Sequence, residues 1–397
     1  MVSLSVSVSV MATSLGALFG STYSTFYGRR NIYLVGLPIS AIASLGAASA
    51  SSIGMLMLWR GIQAFGASPG LAVGAGVIGD IYKLEERGWA MGIFFAAVLL
   101  GPALAPFVGG AAAHYASWRF MQSGTAVTFV IVFVLMFLFF PETSHPGARG
   151  ADKLEPGSHP VWRPVILNPF SSMWLLRSPN LLLVAMSAFL VLLTDYVLLI
   201  PIAYTIGKRY NITNEALIGA CFLPTGLGNA IGAPLSGHIS DRIVARWKAK
   251  RGKWYPEDRL RACIPGALLL SPFSVLAAGI TTEYVDGYLG LSLNLVWLFV
   301  NGLGVDFVLS PCSSYVVDVM HSRSAESMAA SSAFRSIFMA LSIAAILPMI
   351  ETYGLIFTNT LSACLSWVAF GALWITIKYG EEMRQWVDVG FSNEHNN

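Results

Sequence analysis

Apolar residues in this chain come in long runs. They lack both the alternation of a sheet and the three-to-four-residue stripes of soluble helices. Eleven runs of about 20 residues are separated by short polar breaks, and each can carry a helix across a bilayer's hydrocarbon core. They fall near 4–26, 31–49, 54–78, 89–113, 121–140, 181–205, 217–239, 262–280, 288–312, 329–349 and 354–377. The pattern predicts an all-α polytopic membrane protein of eleven spans, with its two ends on opposite sides. The longest break, 141–180, is rich in proline and mixed charge. It is read as a linker between a five-span half (1–140) and a six-span half (181–378), with a tail at 379–397. Its stretch Asn168 to Leu176 is expected to lie along the membrane surface through Phe170, Met173, Trp174 and Leu175.

Composition agrees with the pattern. Only 11% of the 397 residues are charged, against about 25% in a soluble domain. The net charge of +3 is too small to imply a nucleic-acid partner. Lysine and arginine set the orientation. One set of loops holds Arg29, Arg30, Lys83, Arg87, Arg149, Arg177 and a dense run from Arg242 to Arg261, while the other holds only Arg119, Lys208 and Arg209. The first set is cytosolic by the positive-inside rule, which places the C-terminus inside and Met1 outside. A glycosylation sequon at Asn211 then falls in an outside loop. The run 240–261 is expected to touch anionic inner-leaflet lipid, or to serve only as a topology determinant. Cys221, Cys263, Cys312 and Cys364 sit in or beside apolar runs, as small buried hydrophobes do. There is no metal-spaced cluster, nucleophile motif or phosphate-binding loop, so neither an enzyme nor a cofactor is expected.

The stretch Gly92 to Gly110 is almost wholly apolar, yet it holds four glycines and two prolines. In lipid such a helix survives because its neighbours re-satisfy the freed backbone. Gly101, Ala105 and Gly109 recur every four residues and are expected to form a face where another backbone comes close. Pro102 and Pro106 are expected to kink the helix beside that face.

Two turns repeat. Residues 21–30 end in Gly28-Arg29-Arg30, and residues 237–242 read Gly237-His-Ile-Ser-Asp241-Arg242. Both resemble the loop signature of the major facilitator superfamily. Arg60-Gly-Ile-Gln63-Ala-Phe-Gly66 is similar to its intramembrane arginine motif. Gly92, Gly101, Pro102, Ala105, Pro106, Gly109 and Gly110 match the antiporter motif of its exporters, with Ala105 where glycine is usual. Gly79-Asp80, Pro141-Glu142-Thr143 and Tyr315-Val-Val-Asp318 resemble its fungal drug:proton antiporters.

That resemblance covers about residues 3–378. It implies a proton-coupled exporter of small organic molecules (drugs, toxins or secondary metabolites), working by alternating access as a monomer in the plasma or vacuolar membrane. Two departures stand beside it. Thr25 replaces the acid of the first loop signature, so the expected charge latch rests on Asp241–Arg242 in the second. The family has twelve helices, and the first run here matches its second. A non-transporting sensor or interaction protein and an inactive truncated paralogue therefore stay open as alternatives.

Few charges lie inside the runs. A charge at mid-membrane costs about 2.5–3.5 kcal/mol on insertion scales, so each needs a partner, water or a function. Asp195, near the centre of its span, is the leading proton-carrier candidate. Arg60 is expected to hold a carboxylate partner or to bias Asp195 by its field. Asp306 is read either as a second coupling residue or as a water-reached carboxylate near the inner end of its span. Arg335 is expected to snorkel to the cytosolic surface. Gln63, Tyr196, Asn229, Trp297 and Asn301 are candidates for a substrate cavity, and packing residues otherwise.

Overall fold

The computed structural model describes residues 2–144, 149–154, 165–212, 214–387 and 389–391. Twelve long helices carry the fold. They are α1 Val2–Tyr27, α2 Arg29–Ala48, α3 Ile53–Ala67, α4 Pro69–Ile81, α5 Arg87–Tyr115, α6 Trp118–Phe139, α7 Pro179–Leu199, α8 Leu223–Arg251, α9 Ser271–Tyr284, α10 Gly287–Val319, α11 Ser324–Tyr353 and α12 Leu355–Trp386. Helices α3 and α4 make one span, broken at Ser68 because Pro69 lacks the N–H that would continue the ladder. Counting those two as one, ten spans are long and apolar enough to cross a membrane among the described residues. Helix α1 precedes them, where the eleventh was expected.

Several helices outrun the apolar runs that announce them. The run 217–239 becomes a helix that continues to Arg251, and 288–312 becomes α10, which ends at Val319. Hydropathy reads the length in contact with lipid. In α8 the lysines and arginines that end that contact remain good helix formers, so the helix continues past it. Prolines do not stop these helices either. α5 runs unbroken through Pro102 and Pro106.

Single glycines make the sharpest turns. Gly28 joins α1 to α2 with φ +100°. A Cβ there would also lie 2.3 Å from a carboxylate oxygen of Glu142. That carboxylate accepts from the backbone N–H groups of Arg29 (2.9 Å) and Arg30 (3.2 Å), two of the free donors at the start of α2. Burial pushes the Glu142 carboxyl up, but these amides and that of Ser144 outweigh it and hold it below its ordinary value.

Two seams join the first five spans to the last six: α5 against α8, and α1 against α11. The α5–α8 seam is nearly backbone on backbone. A Cβ on Gly92 would stand 2.4 Å from the Ala233 carbonyl oxygen, and one on Gly110 would stand 2.5 Å from that of Glu215. On the facing side, Gly219, Gly226 and Gly237 meet Pro106, Ala103 and Gly88. The close-approach face of α5 is therefore not the expected one. Gly101 has nothing within 4 Å, Gly109 touches only Met121 at 3.8 Å, and Ala105 is exposed. Gly92, Ala103, Pro106 and Gly110 follow three-to-four-residue steps on the opposite side of the helix.

The linker segment Pro169–Arg177 is a 3-10 helix capped by Asn168, which accepts from the Phe170 N–H at 3.0 Å. Phe170 and Trp174 point outward, while Leu175 and Leu176 are buried. Ser172 bonds Thr22 of α1 at 3.2 Å. Pro146, Pro156, Pro160 and Pro164 of the linker lie outside the described residues. Cys221, Cys263 and Cys312 are buried as expected; Cys364 is exposed on α12.

Candidate functional site

Helix α7 is the most enclosed of the apolar spans, and it carries Asp195. The carboxylate is buried, and its Oδ1 has no hydrogen-bond partner. α10 brings Asp306 within electrostatic range of it. Asp306 is wholly buried, and neither of its oxygens has a hydrogen-bond partner. It lies 13 residues from the end of α10 at Val319, about 20 Å at 1.5 Å per residue. The water-reached reading of Asp306 therefore fails, because α10 extends well past the apolar run that set its expected end.

Arg335 corrects a second expectation. It does not snorkel. It is buried 11 residues into α11, donates to Ser332 at 3.3 Å and lies within electrostatic range of Tyr196. Tyr196, next to Asp195, thus feels both that acid and Arg335. Asp195, Asp306 and Arg335 are buried and Tyr196 is half-buried, so four titratable groups on three helices lie in electrostatic range of one another in pairs. Arg60 is not among them. It is half-buried on α3, with no ion-pair partner among the described residues.

The other polar candidates mostly knit helices together. Asn301 donates to Thr194 (3.1 Å), Ser274 (3.0 Å) and the Ser271 carbonyl (3.4 Å), tying α10 to α7 and α9. Asn229 reaches the Leu99 carbonyl across the α5–α8 seam at 3.5 Å. Trp297 donates to Thr281 at 3.1 Å, and Gln63 to Ser44 at 2.7 Å. None of these residues lines the cavity of about 620 Å³, which lies between α1, α2 and α3. Its lining includes Phe19, Tyr23, Tyr27, Phe65 and Ile166. Asn211 is exposed with φ 54°, a left-handed turn that asparagine tolerates; Thr213 of its sequon lies outside the described residues.

At the basic end of the bundle, a second cluster joins the first five spans to the last six. Asp318, at the end of α10, is shared by Arg87 (2.8 Å) and Arg259 (2.6 Å). Arg259 also bonds Asp241 at 2.7 Å. Asp241 accepts from the backbone N–H groups of Gly88 (3.0 Å) and Trp89 (2.7 Å) at the start of α5. The two guanidiniums balance the two carboxylates, and all four are buried. The expected Asp241–Arg242 latch is thus half right: Arg242 is exposed on the far side of α8, and Arg259 takes its place. In the first five spans Arg29 pairs with Asp80 at 3.1 Å, although Thr25 stands where the acid was expected. Arg87 and Arg259 had looked like ordinary loop charges.

The family model described as Major Facilitator Superfamily matches residues 1–347. The chain belongs to this superfamily. It is 28% identical over 401 residues to the efflux pump radE of Floropilus chiversii, covering 96% of this chain and 73% of radE. It is 30% identical over 403 residues to the MFS-type transporter penM of Penicillium rubens, covering 96% and 77%. The MFS antiporter QDR3 of Candida albicans is 22% identical over 480 residues, covering 88% and 68%. In fold, the chain is similar to the human organic anion transporter MFSD10 (TM-score 0.63, 19% identity), covering 94% of this chain and 83% of that one.

Within this superfamily member, the buried acid layer and the ion-pair cluster are physically different devices. The cluster is charge-balanced, tied by short ion pairs and placed where helices from both groups of spans end. The acid layer has oxygens with no partner, so it can bind and release a proton without breaking another bond.

Proposed function

We infer that this protein is a secondary transporter that exports small organic molecules and exchanges them for protons. The observation that carries the reading is the buried pair Asp195 and Asp306, with three carboxylate oxygens lacking hydrogen-bond partners. A carboxylate at that depth costs about 2.5–3.5 kcal/mol on insertion scales, and a bound proton removes the cost. A proton arriving from outside neutralises the pair; an organic substrate arriving from inside displaces it. The relatives named efflux pump and antiporter support export over import.

Alternating access follows from the second device. The Arg87–Asp318–Arg259–Asp241 cluster ties α5 to α8 and α10 at the basic end, which the charge map assigns to the cytosol. Opening that face requires these pairs to separate while residues 1–140 and 181–378 move as two bodies about the α5–α8 seam. Arg335 and Tyr196 hold a substrate's polar group near the acids. A plasma-membrane location fits export.

The test uses proteoliposomes with an imposed pH gradient and a panel of amphipathic organic anions and cations. Wild type accumulates at least one of them when the gradient is present. Asp306→Asn loses at least about tenfold of the gradient-driven flux, while exchange without a gradient persists. Gradient-driven flux at wild-type level in both Asp195→Asn and Asp306→Asn sinks the proton-carrier reading.

A further inference from the structure

One exposed stripe runs the length of α8. It begins with Leu227, Ile231 and Leu235, all strongly exposed. It continues on the same side with His238, Arg242, Arg246 and Lys250, also exposed. Steps of three or four residues keep them on one face. A single straight face thus changes from aliphatic to basic within one turn after Leu235. Exposed leucine and isoleucine mark the depth of lipid tails, and the bases that follow mark the depth of phosphate. From Arg242 to Lys250 the stripe rises about 12 Å.

The end of the stripe is pre-shaped. The guanidiniums of Arg251 and Arg261 lie over the Trp247 ring at 4.3 and 4.2 Å, and the Lys250 ammonium lies 5.1 Å from its centre. Asp258 fixes both guanidiniums, bonding Arg251 at 3.2 Å and Arg261 at 2.9 Å. The neighbouring Glu257 is taken by Arg384 at 2.9 Å, so it does not neutralise the patch. Asp258 thus pairs with Arg251 and Arg261, while Arg242, Arg246, Lys250 and Lys253 stand without an acidic partner among the described residues. The two fixed guanidiniums keep further N–H donors free, and a guanidinium fork suits phosphate.

We propose that the basic end of α8 is a binding site for the headgroup of an anionic phospholipid of the inner leaflet. The continuity of the stripe selects a lipid over a free anion: the acyl chains lie along Leu227, Ile231 and Leu235 while the phosphate meets Arg242, Arg246 and Lys250. Each such base near an anionic surface adds to the attraction. The bound lipid holds α8 at a fixed depth beside Asp241, and so steadies the ion-pair cluster without touching the buried acids.

Native mass spectrometry on the detergent-purified protein tests this, with phosphatidylserine and phosphatidylcholine as probes. Wild type retains phosphatidylserine in preference to phosphatidylcholine. The variant Arg246→Gln, Lys250→Gln, Lys253→Gln needs at least about tenfold more phosphatidylserine for the same occupancy. It keeps the wild-type elution volume and melting temperature in lipid-free detergent, which shows that it is folded. Equal retention by the triple variant overturns the site, as does an equal loss in Lys208→Gln on the opposite face. Displacement of the lipid by an equimolar amount of inorganic phosphate overturns the lipid assignment.

Discussion

The first five spans and the last six are made of the same material, yet they bury it differently. In α7 and its π-turn extension, 72% of the most apolar window is buried; in α5 the figure is 22%, and in α6 it is 11%. Charge follows burial. The last six spans enclose Asp195, Asp306 and Arg335, while the first five leave Arg60 half-exposed and their firm ion pair at the basic end. Apolar length puts a helix in the membrane, whereas enclosure by other helices gives a charged side chain in it a low-dielectric setting. The seam between the two regions combines both solutions. Glycine lets the backbones touch at mid-membrane, and a balanced cluster of buried charges closes the basic end.

Substitutions at the seam test that comparison most severely. Asp318→Ala leaves Arg87 and Arg259 without their shared acid, which costs about 3–5 kcal/mol for a broken buried pair. The folded yield should collapse in fluorescence-detected size exclusion, and Asp318→Glu should restore part of it. Unchanged yield and melting temperature would mean that the cluster does not hold the two groups of spans together.

The two faces of α5 give a matched pair. Gly92→Ala pushes a methyl against the Ala233 carbonyl and costs about 1–3 kcal/mol by overpacking. Gly101→Ala meets open space and gains up to about 1 kcal/mol from helix propensity. Thermal unfolding in detergent should move in opposite directions for the two, and a drop of the same size in both would erase the distinction between the faces.

Glu142 gives a smaller effect with a definite sign. Its carboxyl is held below the ordinary 4.5 by backbone amides. The stability it adds is full above that value and fades as pH falls through the lowered one. Wild type should therefore lose melting temperature on acidification below about 4.5 more steeply than Glu142→Gln does. Parallel curves would remove Glu142 as the clasp between α2 and the start of the linker. Smallest of all, Arg242→Gln should change the melting temperature by less than about 0.5 kcal/mol equivalent. A large loss there would return Arg242 to the latch in place of Arg259.

Much of the fold was legible in the chain. Long apolar runs have few physical solutions in a bilayer, so the helices and their order follow from hydropathy alone. Motif spacing carried the family. The site was legible only in part. Asp195 stood out because an aspartate inside an apolar run is rare. Asp306 and Arg335 were placed too near a surface, because an apolar run ends where lipid contact ends and not where the helix does. The close-approach face of α5 was misplaced for a related reason: a chain can show which small residues share a face, but not which face has a neighbour.

The sequence by itself determined an all-helical membrane protein of the major facilitator superfamily, because lipid leaves the backbone no alternative and the motifs are local. Only the tertiary structure decided which charges meet. Arg87 and Arg259 are separated by 172 positions in the chain and share one carboxylate, while Arg242 beside Asp241 points away. Charge pairing depends on distances between helices, and those are set by how the helices pack and not by their order along the chain.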